Sequence, residues 1–205
     1  MKIFAIGMNY SVHNKSLHGP LFKPENPVVF TKAETALLKN HKPFFIPDDM
    51  GPIEYESELV VRINRLGKCI DKKFAHRYYD AVTVGIDFTA RQLQGRLRKA
   101  GEPWELAKAF DNSAPIGEWI PMEEAGDIGR ISFHMDLNGQ TVQEGFSGDM
   151  LFGVDEIIAY ISRFFTLKTG DIIFTGCPSP CAPVHEGDHI EGWIGPKRVL
   201  DFMCK

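Results

Sequence analysis

Two glutamates set two residues apart carry the clearest chemical signal in this chain. Glu56 and Glu58 lie in the run Ile53-Glu54-Tyr55-Glu56-Ser57-Glu58-Leu59-Val60-Val61-Arg62-Ile63. Residues 59–63, Arg62 apart, are apolar and largely β-branched and read as a strand, in which residues two apart face the same way. The spacing presents two carboxylates side by side at the mouth of that strand, with Glu54 in reach as a third. Like charges so close repel, and burying them unpaired is costly. A divalent cation resolves both problems, and hard carboxylate oxygens suit Mg²⁺, Mn²⁺ or Ca²⁺. A solvated acidic edge strand accounts for the same pattern without any chemistry.

Two further groups bear on that choice. Asp87 stands where an apolar run stops, in Val84-Gly85-Ile86-Asp87-Phe88-Thr89-Ala90-Arg91, a place that suits a functional carboxylate or a helix N-cap equally well. Lys108 sits in Trp104-Glu105-Leu106-Ala107-Lys108-Ala109-Phe110-Asp111. So apolar a setting fits a snorkelling side chain, or an active-site ammonium that stabilises charge. The four cysteines contain no Cys-x-x-Cys pair. Cys177 and Cys181 are four apart in a proline-rich loop, with no second pair to complete a zinc tetrahedron.

The elements that must position these groups are short. Residues 2–6, 28–32, 81–86, 171–174 and 189–194 read as strands. Residues 131–137 alternate Phe133, Met135 and Leu137 against His134 and Asp136, and Asn138-Gly139 turns them into a hairpin with 140–142. Residues 71–80 and 89–99 have helical spacing, the second basic and amphipathic. Residues 154–165 read as a helix capped by a nearby aspartate, burying Ile157, Ile158, Tyr160, Ile161, Phe164 and Phe165. Many short strands with few helices predict an α+β fold, a mixed, strongly bent β-sheet roll with peripheral helices, formed by residues 1–205 as one domain.

Composition narrows the function classes. Hydrophobic residues make up 43% of 205 and charged residues 24%, with a formal net charge of −4. No basic run marks a nucleic-acid or anionic-membrane surface, and no apolar run approaches spanning length. The first residues are too short for a signal-peptide core, so a cytoplasmic protein is expected.

Taken in order, several blocks resemble the fumarylacetoacetate hydrolase family. They are Gly7-Met8-Asn9-Tyr10-Ser11-Val12-His13, Glu56-Ser57-Glu58-Leu59, Gly85-Ile86-Asp87-Phe88-Thr89-Ala90-Arg91, the Trp104 to Asp111 block above, and Lys168-Thr169-Gly170-Asp171-Ile172-Ile173-Phe174-Thr175-Gly176. The resemblance is to compact single-domain members such as acylpyruvate hydrolases, oxaloacetate decarboxylases or tautomerases, and 2-hydroxyhepta-2,4-diene-1,7-dioate isomerase. It implies that Glu56, Glu58 and Asp87 ligate Mg²⁺ or Mn²⁺, with Lys108 beside the metal and His13 as the catalytic histidine. It further implies that Lys32, Arg91, Gln94, Thr175 and Gly176 contact the substrate, a small 2-oxo acid, and that the protein is a homodimer. Catalysis would then run through a metal-bound enolate, giving tautomerisation, decarboxylation or C–C hydrolysis. A metal-retaining but catalytically silent 2-oxo acid binding protein is the rival reading.

The chain also departs from that family. Ser16 stands where the hydrolytic and decarboxylating members carry a glutamate that charges the histidine as a base, so His13 is expected to activate water poorly. His18 or Glu25 are the candidates to take the vacant role. Gln92 replaces an aspartate. After Thr175-Gly176 a glycine-rich stretch gives way to Cys177-Pro178-Ser179-Pro180-Cys181-Ala182-Pro183.

Overall fold

The computed structural model describes residues 1–10 and 24–205. His13, Ser16 and His18 lie outside the described residues. The largest sheet runs, edge to edge, through Val28–Lys32, Ile3–Gly7, Ile172–Phe174, Ser57–Ile63, Tyr79–Ile86 and Ile120–Pro121. Only Ile3–Gly7 and Ile172–Phe174 pair in parallel in this sheet. Its inner strands are largely apolar and mostly buried because both faces are covered. Phe4, Ile6, Leu59 and Val61 face the larger core, while Ile3, Ala5 and Val60 face a smaller one with Ile172 and Phe174.

A second, antiparallel sheet has the order Gln140–Phe146, Ser132–Leu137, His189–Ile194, Lys197–Met203. The expected hairpin is present, with Asn138 at φ 54° and Gly139 at φ 76°, the left-handed pair that a two-residue turn requires. Gly192 lets this sheet close on the first, since a Cβ there would lie 2.8 Å from Val84 Cγ1. The fold is thus mixed α+β with several sheets and few helices.

Three helical expectations need correction. Residues 71–80 form only a 3₁₀ segment, Lys72–Arg77, because Tyr79 pairs with Ile63 and draws the chain into the sheet. Phe74 there is exposed, and Ala75 is the buried residue. The basic helix starts at Arg91, since Thr89–Ala90 pair with Ile53–Glu54 before it. It ends at Ala100 on a left-handed Gly101. The helix Val154–Phe164 begins after Gly153 with no side-chain cap. Its apolar face is Val154, Ile157, Ile158 and Ile161. Tyr160 is half-buried, and Phe164 and Phe165 are exposed because the chain turns extended at Phe165, past the edge of the core. The strand Lys197–Met203 was not expected. No helix among the described residues is long and apolar enough to cross a membrane.

Candidate active site

Strand register brings the three carboxylates together. Ser57 pairs with Ile86 and Glu58 with Gly85, so the residue before one strand meets the residue after the other. The Asp87 N–H donates to the Glu56 carbonyl at 2.8 Å, closing that end of the ladder. Glu56, Glu58 and Asp87 are all buried, and each offers a carboxylate oxygen within 4.8 Å of the others.

Three cations offset this charge. Lys108, at the end of the one-turn helix Glu105–Lys108, is 3% exposed and points its ammonium into the cluster. Its Nζ donates to Asp87 Oδ2 at 2.6 Å, Glu56 Oε2 at 2.8 Å and Thr89 Oγ1 at 2.6 Å. Burial disfavours that charge, but the Asp87 and Glu56 carboxylates outweigh it and raise the Lys108 pKa. Lys108 is therefore a fixed ammonium, and the snorkelling alternative is gone. Arg91 opens the following helix; its Nε donates to Glu54 Oε2 and its Nη1 to Gln94 Oε1, both at 2.8 Å, and its Nη2 meets Glu56 Oε1. Glu54 is thus the anchor of Arg91.

Lys32 stands elsewhere than expected. It is wholly buried behind Asp87, away from the pocket wall. Its Nζ donates to the Lys108 carbonyl, and to Ser113 Oγ at 3.0 Å. Burial pushes its pKa down, only partly countered by Asp87. Lys32 Nζ also lies 2.8 Å from Asp87 Oδ1, an ion pair wholly removed from solvent. Burial and the neighbouring Asp87 and Glu56 charges also push the Glu58 pKa well above the usual carboxylate range. Three buried carboxylates, each offering a hard oxygen within 4.8 Å of the others and one of them pressed toward protonation, fit a divalent cation.

Thr175 and Gly176 act on the ligands and lie off the pocket wall. The Thr175 hydroxyl donates to the Leu59 carbonyl at 2.8 Å, and the Gly176 N–H donates to Glu58 Oε2 at 2.6 Å. Gly176 has φ 99°, and a Cβ there would lie 2.7 Å from Asn9 Cβ. Asn9 in turn ties three segments, donating to the Phe152 and Thr175 carbonyls and accepting from the Phe152 N–H.

The pocket in front of the carboxylates is lined by Arg91, Gln94 and Lys108, and also by Met8, Phe30, Arg98, Trp104 and Cys177. Of the latter five, sequence reasoning marked none as lining residues. It also missed Thr89 as a partner of Lys108 and Gln143 as a support of the loop. No histidine lines the pocket among the described residues. A buried, charge-balanced carboxylate centre with a cationic wall defines an enzyme site able to hold a divalent cation and an anionic substrate.

Residues 2–200 match the fumarylacetoacetate (FAA) hydrolase C-terminal family. Oxaloacetate tautomerase YcgM of Escherichia coli (strain K12) is 39% identical over 190 residues, covering 92% of this chain and 86% of that protein. The mitochondrial oxaloacetate tautomerase FAHD1 of Mus musculus is 34% identical over 203 residues, covering 99% and 91%. A crystal structure of fumarylpyruvate hydrolase from Pseudomonas aeruginosa in complex with Mn²⁺ and pyruvate superposes with a TM-score of 0.93 at 31% identity, covering all of this chain and 89% of that one. This chain belongs to the fumarylacetoacetate hydrolase family and is an enzyme of its hydrolase and isomerase kind.

Proposed function

We propose that the protein is a divalent-metal-dependent tautomerase of short 2-oxo acids, with oxaloacetate as the preferred substrate. The convergence of Glu56, Glu58 and Asp87 against the Lys108 ammonium carries this reading. The names of the relatives support the substrate class. The three carboxylates would hold Mg²⁺ or Mn²⁺, which when bound supplies Lewis acidity to the oxygens of a 2-oxo acid and so acidifies its C3.

The chain's own residues do the rest. Lys108 keeps its proton and so serves as a fixed positive charge for an oxygen that gains negative charge, and cannot serve as a base. Arg91, held from the side by Glu54 and Gln94, presents a planar cation to a substrate carboxylate, and Arg98 adds a second positive charge on the wall. Phe30 and Trp104, whose ring centroids lie 6.1 Å apart, give the pocket an apolar stretch of wall beside its cations. Arg91, Arg98 and Lys108 are cations, so none of these pocket residues supplies a neutral base. The proton at C3 is assigned to His13 through the family resemblance. Because Ser16 cannot charge that imidazole, proton transfer is favoured over water activation.

The test compares oxaloacetate enol–keto exchange with acetylpyruvate cleavage on one preparation loaded with Mg²⁺ or Mn²⁺. Fast tautomerisation with weak cleavage is expected, with cleavage gained in Ser16→Glu. Cleavage that outpaces tautomerisation would make the enzyme a hydrolase, and binding without turnover of either would make it a silent binder.

A further inference from the structure

The proline-rich loop places chemistry of a different kind against the same pocket. Cys177 Sγ and Cys181 Sγ lie 3.4 Å apart with no disulfide between them. Cys177 is buried and lines the pocket, while Cys181 is half-exposed. Both sulfurs and a Glu56 carboxylate oxygen fall within 4.8 Å of one another. We propose that Cys177, Cys181 and Glu56 form a second metal site, for a thiophilic divalent cation of the Zn²⁺ and Cd²⁺ class, sharing Glu56 with the three-carboxylate centre.

The donor set separates the two sites. Two sulfurs and one carboxylate suit borderline and soft cations, whereas three carboxylates suit Mg²⁺ and Mn²⁺. Sulfurs at about 2.3 Å from one zinc stand about 3.8 Å apart in a tetrahedron, so the pair needs to open by only about 0.4 Å. A fixed donor already faces them. The Ser57 N–H donates to Gln143 Oε1 at 2.8 Å, which sets the amide so that its Nε2 faces both sulfurs, at 3.7 Å and 3.8 Å, and donates to the Pro178 carbonyl at 2.8 Å. Gln143 is buried. Such outer donors orient thiolate ligands and stabilise their charge.

Binding consumes no oxidant. Two S–H bonds give way to two metal–sulfur bonds, and both protons pass to solvent. Since Glu56 belongs to both groupings, a thiophilic cation draws it from the oxygen centre, and Zn²⁺ becomes an inhibitor that extra Mg²⁺ relieves only by competition for Glu56.

The experiment uses the full-length, reduced, metal-free protein and Cd²⁺ alone, read by the ultraviolet thiolate-to-cadmium charge-transfer band. The band should saturate at a single Cd²⁺ per chain in the wild type, in Cys69→Ser and in Asp87→Asn, and disappear in Cys177→Ser and in Cys181→Ser. Glu56→Gln should keep the band and weaken Cd²⁺ binding by about tenfold or more. Asp87→Asn removes a carboxylate only of the hard centre, so its band reports the thiol site whatever the outcome for catalysis. In parallel, Cd²⁺ should protect Cys177 and Cys181 of the wild type from alkylation, read by peptide mass spectrometry. A band that survives loss of both loop cysteines, a band lost with Cys69, or alkylation unchanged by Cd²⁺ would overturn the proposal. So would loop thiols that, in a second sample purified without reductant, resist alkylation until reduced, because the pair would then be a disulfide.

Discussion

The two walls of the pocket are built differently. On one side, Glu56, Glu58 and Asp87 are delivered by paired strands whose register leaves them no other place, and each is held by further contacts. On the other, residues 177–181 lie in a loop held by side-chain and carbonyl contacts through Gln143. The strand wall ties its chemistry to the fold itself: the backbone positions that carry the carboxylates shift only if the ladder breaks. The loop wall can change its chemistry without disturbing the sheet. That is where this chain sets thiols and prolines in place of a glycine-rich stretch, while the strand wall keeps the blocks on which the family resemblance rests.

The largest effect separating the walls should come from the strand side. Asp87→Asn or Glu58→Gln should lower kcat/KM by about 10³-fold or more and abolish thermal stabilisation by Mn²⁺. Full Mn²⁺ stabilisation in both variants would show that the strand wall is not the metal wall.

Lys108→Met comes next. In the metal-free protein it leaves buried carboxylates short of a partner, at a cost of about 3–5 kcal/mol in denaturant unfolding. Mn²⁺ should recover much of that stability, while turnover stays down by about 10²-fold, because the metal replaces the charge balance and not the ammonium facing the substrate. Unchanged kinetics would reduce Lys108 to a structural cation.

Arg91→Lys should raise KM for oxaloacetate by about tenfold with little change in kcat, since an ammonium loses the planar fork held by Glu54 and Gln94. A loss confined to kcat would assign Arg91 to the reacting centre.

The smallest effect is a pH dependence. Burial raises the Glu58 pKa in the metal-free fold. Above the ordinary carboxylate value of about 4.3 the unfolded chain has lost this proton, while the metal-free fold still holds it. Metal-free stability therefore falls as pH rises from that value through the folded pKa. Metal binding, which must displace the proton, strengthens over the same interval. The Mn²⁺-induced shift in melting temperature should grow with pH there, and the metal-free stability of Glu58→Gln should lose its fall across the same interval. A shift that shrinks with rising pH would contradict the assigned protonation.

The strand wall was largely legible in the sequence. The Glu-x-Glu spacing and the apolar flanks name the face and the strand, and Asp87 marks the end of the next one. What the sequence could not show were contacts set by tertiary distance. Lys32 reads as a pocket residue until the packing puts it behind Asp87. Thr175 and Gly176 read as substrate contacts, yet they hold Leu59 and Glu58, because Gly176 takes a left-handed turn against Asn9. The closeness of Cys177 and Cys181 to Glu56 depends on how a loop folds back, and no periodicity encodes that. Helix limits failed for a related reason: strand pairing claimed Tyr79, Thr89 and Ala90 from segments with helical spacing.

The most direct test of the central claim is a calorimetric titration of metal-free protein with Mn²⁺, wild type beside Asp87→Asn. The wild type should bind a single Mn²⁺ per chain, and bind oxalate, a stable 2-oxo acid mimic, only once that ion is present. Asp87→Asn should lose both. Equal Mn²⁺ binding by the two proteins, or oxalate binding that ignores the metal, would contradict a catalytic centre built on Glu56, Glu58 and Asp87.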